Sequence, residues 1–231
     1  MGAKFEVFYK YFITYGGYKT ALTGLRNTLI IAIGGLLIGI VLGSIVAAVK
    51  VAAPRSKIAK AFSYVGDVYT GLFRGTPIVV QLMIFHFIIF RGSNIDSLLE
   101  AVLVFGLNSG AYVAEIMRGG ILSVEIGQTE AGRTLGLSYT TTMFKIVLPQ
   151  AIKNVIPTLG NELIALTKDT SVAGFVATMD LNAAFTAIAG ATYDFMIPYL
   201  MLAVVYLILV VLITVLIRFV ERRLRKSERK R

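Results

Sequence analysis

The chain has 231 residues, 56% hydrophobic and 16% charged, with a mean hydropathy of +0.77. A soluble domain of this size carries about 25% charged residues, so a soluble fold is excluded, and the lack of cysteine excludes disulfides and thiolate metal sites. The net charge of +10 sits beside apolar segments, above all in residues 221–231 after the last apolar run. Such clusters hold a helix end on the cytoplasmic side or bind anionic lipid, and we read this one in that way rather than as a nucleic-acid footprint.

Residues 1–26 are aromatic and mixed, with no basic region, apolar core and small-residue cleavage site in succession. They read as a retained, interfacial amphipathic segment, not a signal peptide. The first crossing is 27–49, in which Gly35, Gly39 and Gly43 recur every four residues. That stripe either admits a second helix at close range or reflects the general glycine content of membrane helices. Residues 50–60 carry four basic side chains. The region 58–90 is interrupted at 74–77 by Arg-Gly-Thr-Pro. As one straight helix it would be roughly 50 Å long, against a hydrocarbon core of roughly 30 Å, so a single broken crossing is expected.

A turn at 91–100 leads to a third crossing at 101–117 and a long polar stretch at 118–156. Pro157 suits the first turn of a fourth crossing, 157–178. A weakly apolar connector (179–195), a last crossing (197–217) and a basic tail (218–231) complete one transmembrane domain spanning residues 1–231. With five crossings the termini lie on opposite faces. The segments assigned inside, 50–60, 118–157 and 218–231, hold 4, 4 and 8 Lys or Arg, and those assigned outside, 1–26, 91–99 and 179–196, hold 4, 1 and 0. This places the N-terminus outside and the C-terminus in the cytoplasm.

Within the inner loop, residues 125–137 form an expected short helix closed by Gly136 in a left-handed cap, and Pro149 begins another short element. A short helix along the membrane face is either a lever for a cytoplasmic partner or a plain amphipathic surface helix. The loop carries Glu130-Ala131-Gly132, then Gly136, then Ile146-Val147-Leu148-Pro149. In this spacing it resembles the cytoplasmic signature of permease subunits of ATP-binding-cassette importers, with Gly132 in place of the second alanine. Glycine there loosens the helix by up to about 1 kcal/mol. The stretches 22–29, 73–82, 111–121, 127–132, 148–164 and 168–171 are similar to the polar-amino-acid branch, which includes arginine, histidine and glutamine permeases.

The resemblance implies an all-α, five-helix core of the type I (MetI-like) importer kind, located in a bacterial or archaeal cell membrane. It also implies a second permease subunit, two ATPase subunits docked on the loop helix, and an external amino-acid-binding protein. Gly127, Glu130, Ala131, Gly132, Gly136, Leu148 and Pro149 would be the coupling residues. The chain has no Walker-type glycine loop, so it is expected to be non-catalytic and to bind no cofactor, with ATP and Mg used by the partner. An identical second permease subunit is the expectation preferred over a related one.

The fourth crossing carries Glu162, Lys168 and Asp169, although a charge in hydrocarbon costs several kcal/mol or more. Glu162 and Asp169 are seven residues apart, so on a helix they share a face, roughly 10 Å apart in height. Lys168 points elsewhere, on a stripe with Asn161. Two aligned carboxylates suit a cationic amino acid such as arginine, lysine or histidine. The alternative is self-neutralisation, in which Lys168 or Arg74 pairs with Asp169 to hold or gate the bundle. Arg74, beside the break, is a candidate for the substrate α-carboxylate, with Gln81 a turn or two further on. His86, the single histidine, is either a packing residue or a substrate contact, and no metal site is expected. Glu115 and Arg118, three apart, form an expected helical ion pair with a structural or gating role. Two other classes were weighed. A secondary transporter using Asp169 or Glu162 as an ion site should show inverted repeats, and none is evident. A membrane enzyme would need converging nucleophile and base.

Overall fold

A computed structural model describes residues 2–226, and among these every regular element is helical. A short helix α1 (Gly2–Tyr9) runs into one π-type turn and then a left-handed Gly16 (φ +79°), which lets the chain reverse into the long α2 (Gly17–Ala52). Helix α3 (Lys57–Gly75) begins on Ser56, whose hydroxyl accepts from the Ala59 N–H. It ends because Pro77 forces the preceding Thr76 into extended backbone (φ −122°, ψ 145°). Helix α4 (Ile78–Ile84), continued by a π-type turn to Ile89, leaves at 107° to α3.

Helix α5 (Ser97–Leu122) crosses next, followed by α6 (Ile126–Thr134) and α7 (Tyr139–Thr142). Helix α8 (Leu148–Asp169) tightens into a 3-10 turn to Val176, bends by 55° and gives way to α9 (Leu181–Thr192). Asp180 caps α9 from a fully buried position, its carboxylate accepting the N–H groups of Asn182 (2.8 Å) and Ala183 (3.1 Å). Helix α10 (Met196–Lys226) closes the chain. Among the described residues three helices, α2, α5 and α10, are long and apolar enough to cross a membrane, and the count reaches five when each bent pair is one span.

The centre of the bundle is the seam between α2 and α5. Gly35, Gly39 and Gly43 do mark a close approach, because a Cβ at each would meet Phe105, Ser109 and Val113 or Ala114 at 3.0 Å or less. Ile31, Leu82, Val104, Phe105, Leu166 and Val176 form one apolar core around this seam. A second, around Phe8, Leu181, Phe185 and Ile188, ties α1 and α9 to α10.

Several expected boundaries move. The first crossing helix starts at Gly17, not residue 27, because Gly17, Ala21 and Gly24 are buried. Gly24 lies so close to the Asp180 backbone that a side chain would meet its carbonyl at 2.6 Å. Pro149 opens not a short element but α8 itself, at its first turn, and Pro157 falls inside that helix rather than starting one. Two prolines eight residues apart share one helix: Pro149 lies in its first turn, directly after a π-type turn at Met143–Val147, and Pro157 removes a single N–H from the interior. The expected crossing 157–178 is α-helical only to Asp169. The connector 179–195 is largely the helix α9, with Leu181, Ala184, Phe185, Ile188 and Ala189 buried on one face. The basic tail is helical as far as Lys226; residues 227–231 lie outside the described part.

Candidate functional site: a charged cavity at the helix break

The break after α3 and the middle of α8 face each other across a cavity of about 500 Å³, lined by Arg74, Thr76, Pro77, Asn108, Tyr112, Glu162, Leu166 and Asp169 among others. The structure therefore brings together Arg74, Glu162 and Asp169, three of the expected substrate residues. Arg74 is exposed to the cavity, with its guanidinium carbon 5.4 Å from the centre of the Tyr112 ring. Glu162 accepts a hydrogen bond from the Ser109 hydroxyl at 3.0 Å. Asp169 is exposed.

Among the described residues, no ion pair neutralises Arg74, Glu162 or Asp169. Lys168 is exposed, does not line the cavity, and makes no ion pair there either. The alternative pairing of Asp169 with Lys168 or Arg74 is not among the ion pairs of the described residues. One cationic and two acidic side chains share one concavity, and intramembrane charge is tolerated where a cavity admits water.

The remaining candidates lie elsewhere. Gln81 is buried, 4% exposed, and its amide is consumed at the break. It donates to the Phe73 carbonyl (2.8 Å), the Thr76 carbonyl (3.0 Å) and the Thr76 hydroxyl (2.9 Å), and accepts from Asn108 at 3.0 Å. Asn108 also donates to the Phe73 carbonyl at 3.2 Å. Gln81 therefore shapes the bend and is not on the cavity wall, because the carbonyls freed by the break have first claim on its donors. His86 is likewise away from the cavity: its Nδ1 lies 2.6 Å from Oε2 of the buried Glu100. Asn161 is exposed and does not line the cavity.

Glu115 and Arg118 form the expected pair, Nη2 to Oε2 at 2.9 Å. Lys50 joins them: its ammonium reaches Glu115 (2.9 Å), Asp67 (3.0 Å) and the Thr70 hydroxyl (3.0 Å), tying α2, α3 and α5 at one end.

Sequence reasoning missed Asn108, Ser109, Tyr112 and Lys50. Asn108 and Tyr112 had a signal. Asn108, Tyr112 and Glu115 recur at i, i+4 and i+7 on an otherwise apolar span, which is a polar stripe facing inward. Lys50 had none, since its partners come from α3 and α5.

The loop helix stands apart from the cavity. Gly136 closes α6 in the left-handed region (φ +74°), with the Leu137 N–H reaching the Gly132 carbonyl at 3.0 Å. Gly132 is the buried residue of α6, and a Cβ there would meet the Thr142 side chain at 2.7 Å. The departure from alanine thus has a local reason: Thr142 occupies the methyl's place. Glu130 and Ala131 are exposed, Gly127 and Leu148 are partly buried, and Pro149 is exposed at the start of α8.

A family model described as "Binding-protein-dependent transport system inner membrane component" matches residues 39–226. The arginine transport system permease protein ArtQ of Bacillus subtilis (strain 168) is 37% identical over 209 residues, covering 90% of this chain and 93% of its own. A putative glutamine transport system permease protein, GlnP of Rickettsia bellii (strain RML369-C), is 37% identical over 203 residues, covering 87% of this chain and 91% of its own. Among solved structures, a chain from the "crystal structure of an amino acid ABC transporter with histidines" superposes with a TM-score of 0.82 at 33% identity, covering 92% of this chain and 96% of that one. With the family model matching residues 39–226 and relatives 37% identical along most of both chains, the chain belongs to this family as the permease subunit of an amino-acid ATP-binding-cassette importer.

Proposed function

We propose that the cavity between the α3–α4 break and α8 is the substrate site, and that it takes a cationic amino acid such as arginine, lysine or histidine. The observation that carries this is the convergence of Arg74, Glu162 and Asp169 without an ion pair among the described residues. Arg74 provides a fork for the α-carboxylate. The two carboxylates answer the α-ammonium and a second positive group. A neutral amino acid would leave one carboxylate facing the cavity uncompensated. The relative named for arginine transport and the solved transporter obtained with histidines support a cationic substrate. Nothing in the structure favours the ion-coupled alternative.

The permease function requires partners. Two permease subunits, preferably two copies of this chain, enclose the pathway. Two ATPase subunits use ATP and Mg, and an external protein delivers the amino acid. Helix α6 is the handle through which the ATPases act: it presents Ile126, Glu130, Ala131 and Leu135 to the outside and is held to the body through Gly132. Its face of the membrane is then cytoplasmic, with the N-terminus outside.

The test uses the purified permease–ATPase complex, with labelled arginine bound at equilibrium and citrulline, its uncharged near-isostere, as competitor. Glu162→Gln and Asp169→Asn should each lower the preference for arginine about tenfold or more, the size of a lost charge-assisted hydrogen bond. Arg74→Met should weaken both ligands alike. Unchanged arginine binding in both acidic variants removes the assignment.

A further inference from the structure

We propose that Ser109 and Gly39 are positioning residues for Glu162, so that the closeness of α2 to α5 sets how strongly the cavity prefers a positively charged side chain. This rests on the reading of the cavity given above and extends it to two residues that do not line it.

Ser109 is fully buried on α5 and stands between two other helices. On one side its hydroxyl donates to Oε1 of Glu162, on α8, at 3.0 Å. On the other side is Gly39 of α2, so near that a Cβ there would lie 2.7 Å from the Ser109 oxygen and 2.8 Å from its Cβ. The serine therefore has bare backbone behind it and the carboxylate in front. Of the three glycines in the stripe, Gly35 meets Phe105 and Gly43 meets Val113 and Ala114. Only Gly39 ends on a side chain that holds a group of the cavity wall.

The physical consequence follows from the carboxylate's two oxygens. Ser109 ties one, which fixes the rotation of the group and leaves the other for a ligand. A carboxylate held in place loses less freedom when a cation arrives, so its binding is tighter than that of a freely turning one. A methyl at residue 39 would push Ser109 away and release Glu162, although it lies on a helix that contributes no side chain to the cavity.

The experiment is a double-mutant cycle on the permease–ATPase complex, reading the ratio of arginine to citrulline affinity at equilibrium without a binding protein. Ser109→Ala should lower that ratio roughly tenfold, in the range of a hydrogen bond to a charged group. In a Glu162→Gln background the same substitution should have no further effect, because its route to the ligand is already gone. Gly39→Ala should behave like Ser109→Ala in both backgrounds and serves as the second variant. An unchanged ratio in Ser109→Ala, or an equal drop in the two backgrounds, overturns the proposal while leaving the cavity assignment standing. An unchanged ratio in Glu162→Gln likewise overturns the proposal, and only an unchanged ratio in both Glu162→Gln and Asp169→Asn overturns the cavity assignment.

Discussion

A half-buried histidine beside a buried carboxyl group invites a functional reading, and here the geometry argues for packing. His86 lies in the π-type turn after α4 and does not line the cavity; it is bonded at 2.6 Å to Glu100, which is 5% exposed. Removing His86 leaves the buried Glu100 carboxyl group without this hydrogen bond, at a cost of about 1–3 kcal/mol. His86→Phe should therefore lower the melting temperature of the purified complex, and adding Glu100→Leu should restore much of it, while arginine affinity stays within about twofold in both. A selective loss of arginine binding in His86→Phe would return the histidine to the list of ligand contacts. The side chains that reach the cavity were legible in the sequence where an expensive charge demanded a reason, as for Arg74, Glu162 and Asp169. They were illegible where a lone neutral hydroxyl does the holding, as for Ser109, because a serine in a membrane helix costs little and raises no question on its own.

The same contrast runs through the elements. Helix α6 was readable from its closing Gly136 and its spacing, and the break at Pro77 from residue chemistry alone. Helix α9 was not, although Leu181, Ala184, Phe185, Ile188 and Ala189 repeat at helical intervals. Its twelve residues are too few to mark a span by themselves, which takes about 20, while its burial comes from packing on α2 and α10. Gly132 shows how an element can contradict propensity. Alanine favours a helix by up to about 1 kcal/mol over glycine, yet a Cβ on residue 132 meets both the hydroxyl and the methyl of Thr142 at 2.7 Å. Gly132→Ala should therefore reduce substrate-stimulated ATP hydrolysis by the assembled complex by severalfold, by displacing α6 from the body. Gly132→Ala combined with Thr142→Ala, which clears the space, should recover most of it. If the single substitution instead raises stimulation, the stiffness of α6 matters more than its seat, and the Thr142 contact is incidental.

At the level of the whole chain, charge distribution and packing point to one arrangement. Lys50, Asp67, Glu115 and Arg118 gather at the end of the bundle that adjoins α6, where Lys50, Arg118, Ile126 and Tyr139 border a common cavity of about 440 Å³. The basic end of α10 belongs to the same inner set in the charge count of the segments, and the turn at 91–96 to the outer one. Basic residues at 4, 10, 19 and 26 are the exceptions to that bias. One of them, Lys4, is bonded to Asp194 at 3.2 Å, which holds α1 against the start of α10 and partly offsets its charge. The orientation can be measured cleanly because the chain has no native cysteine. A single cysteine at Ser93, in the turn before α5, should react in intact cells with a maleimide that cannot cross membranes. One at Leu135, beside the closing glycine of α6, should react only after the membrane is opened. The reverse pattern would put α6 on the outer face, where no ATPase can reach it, and the handle role would fall with the topology.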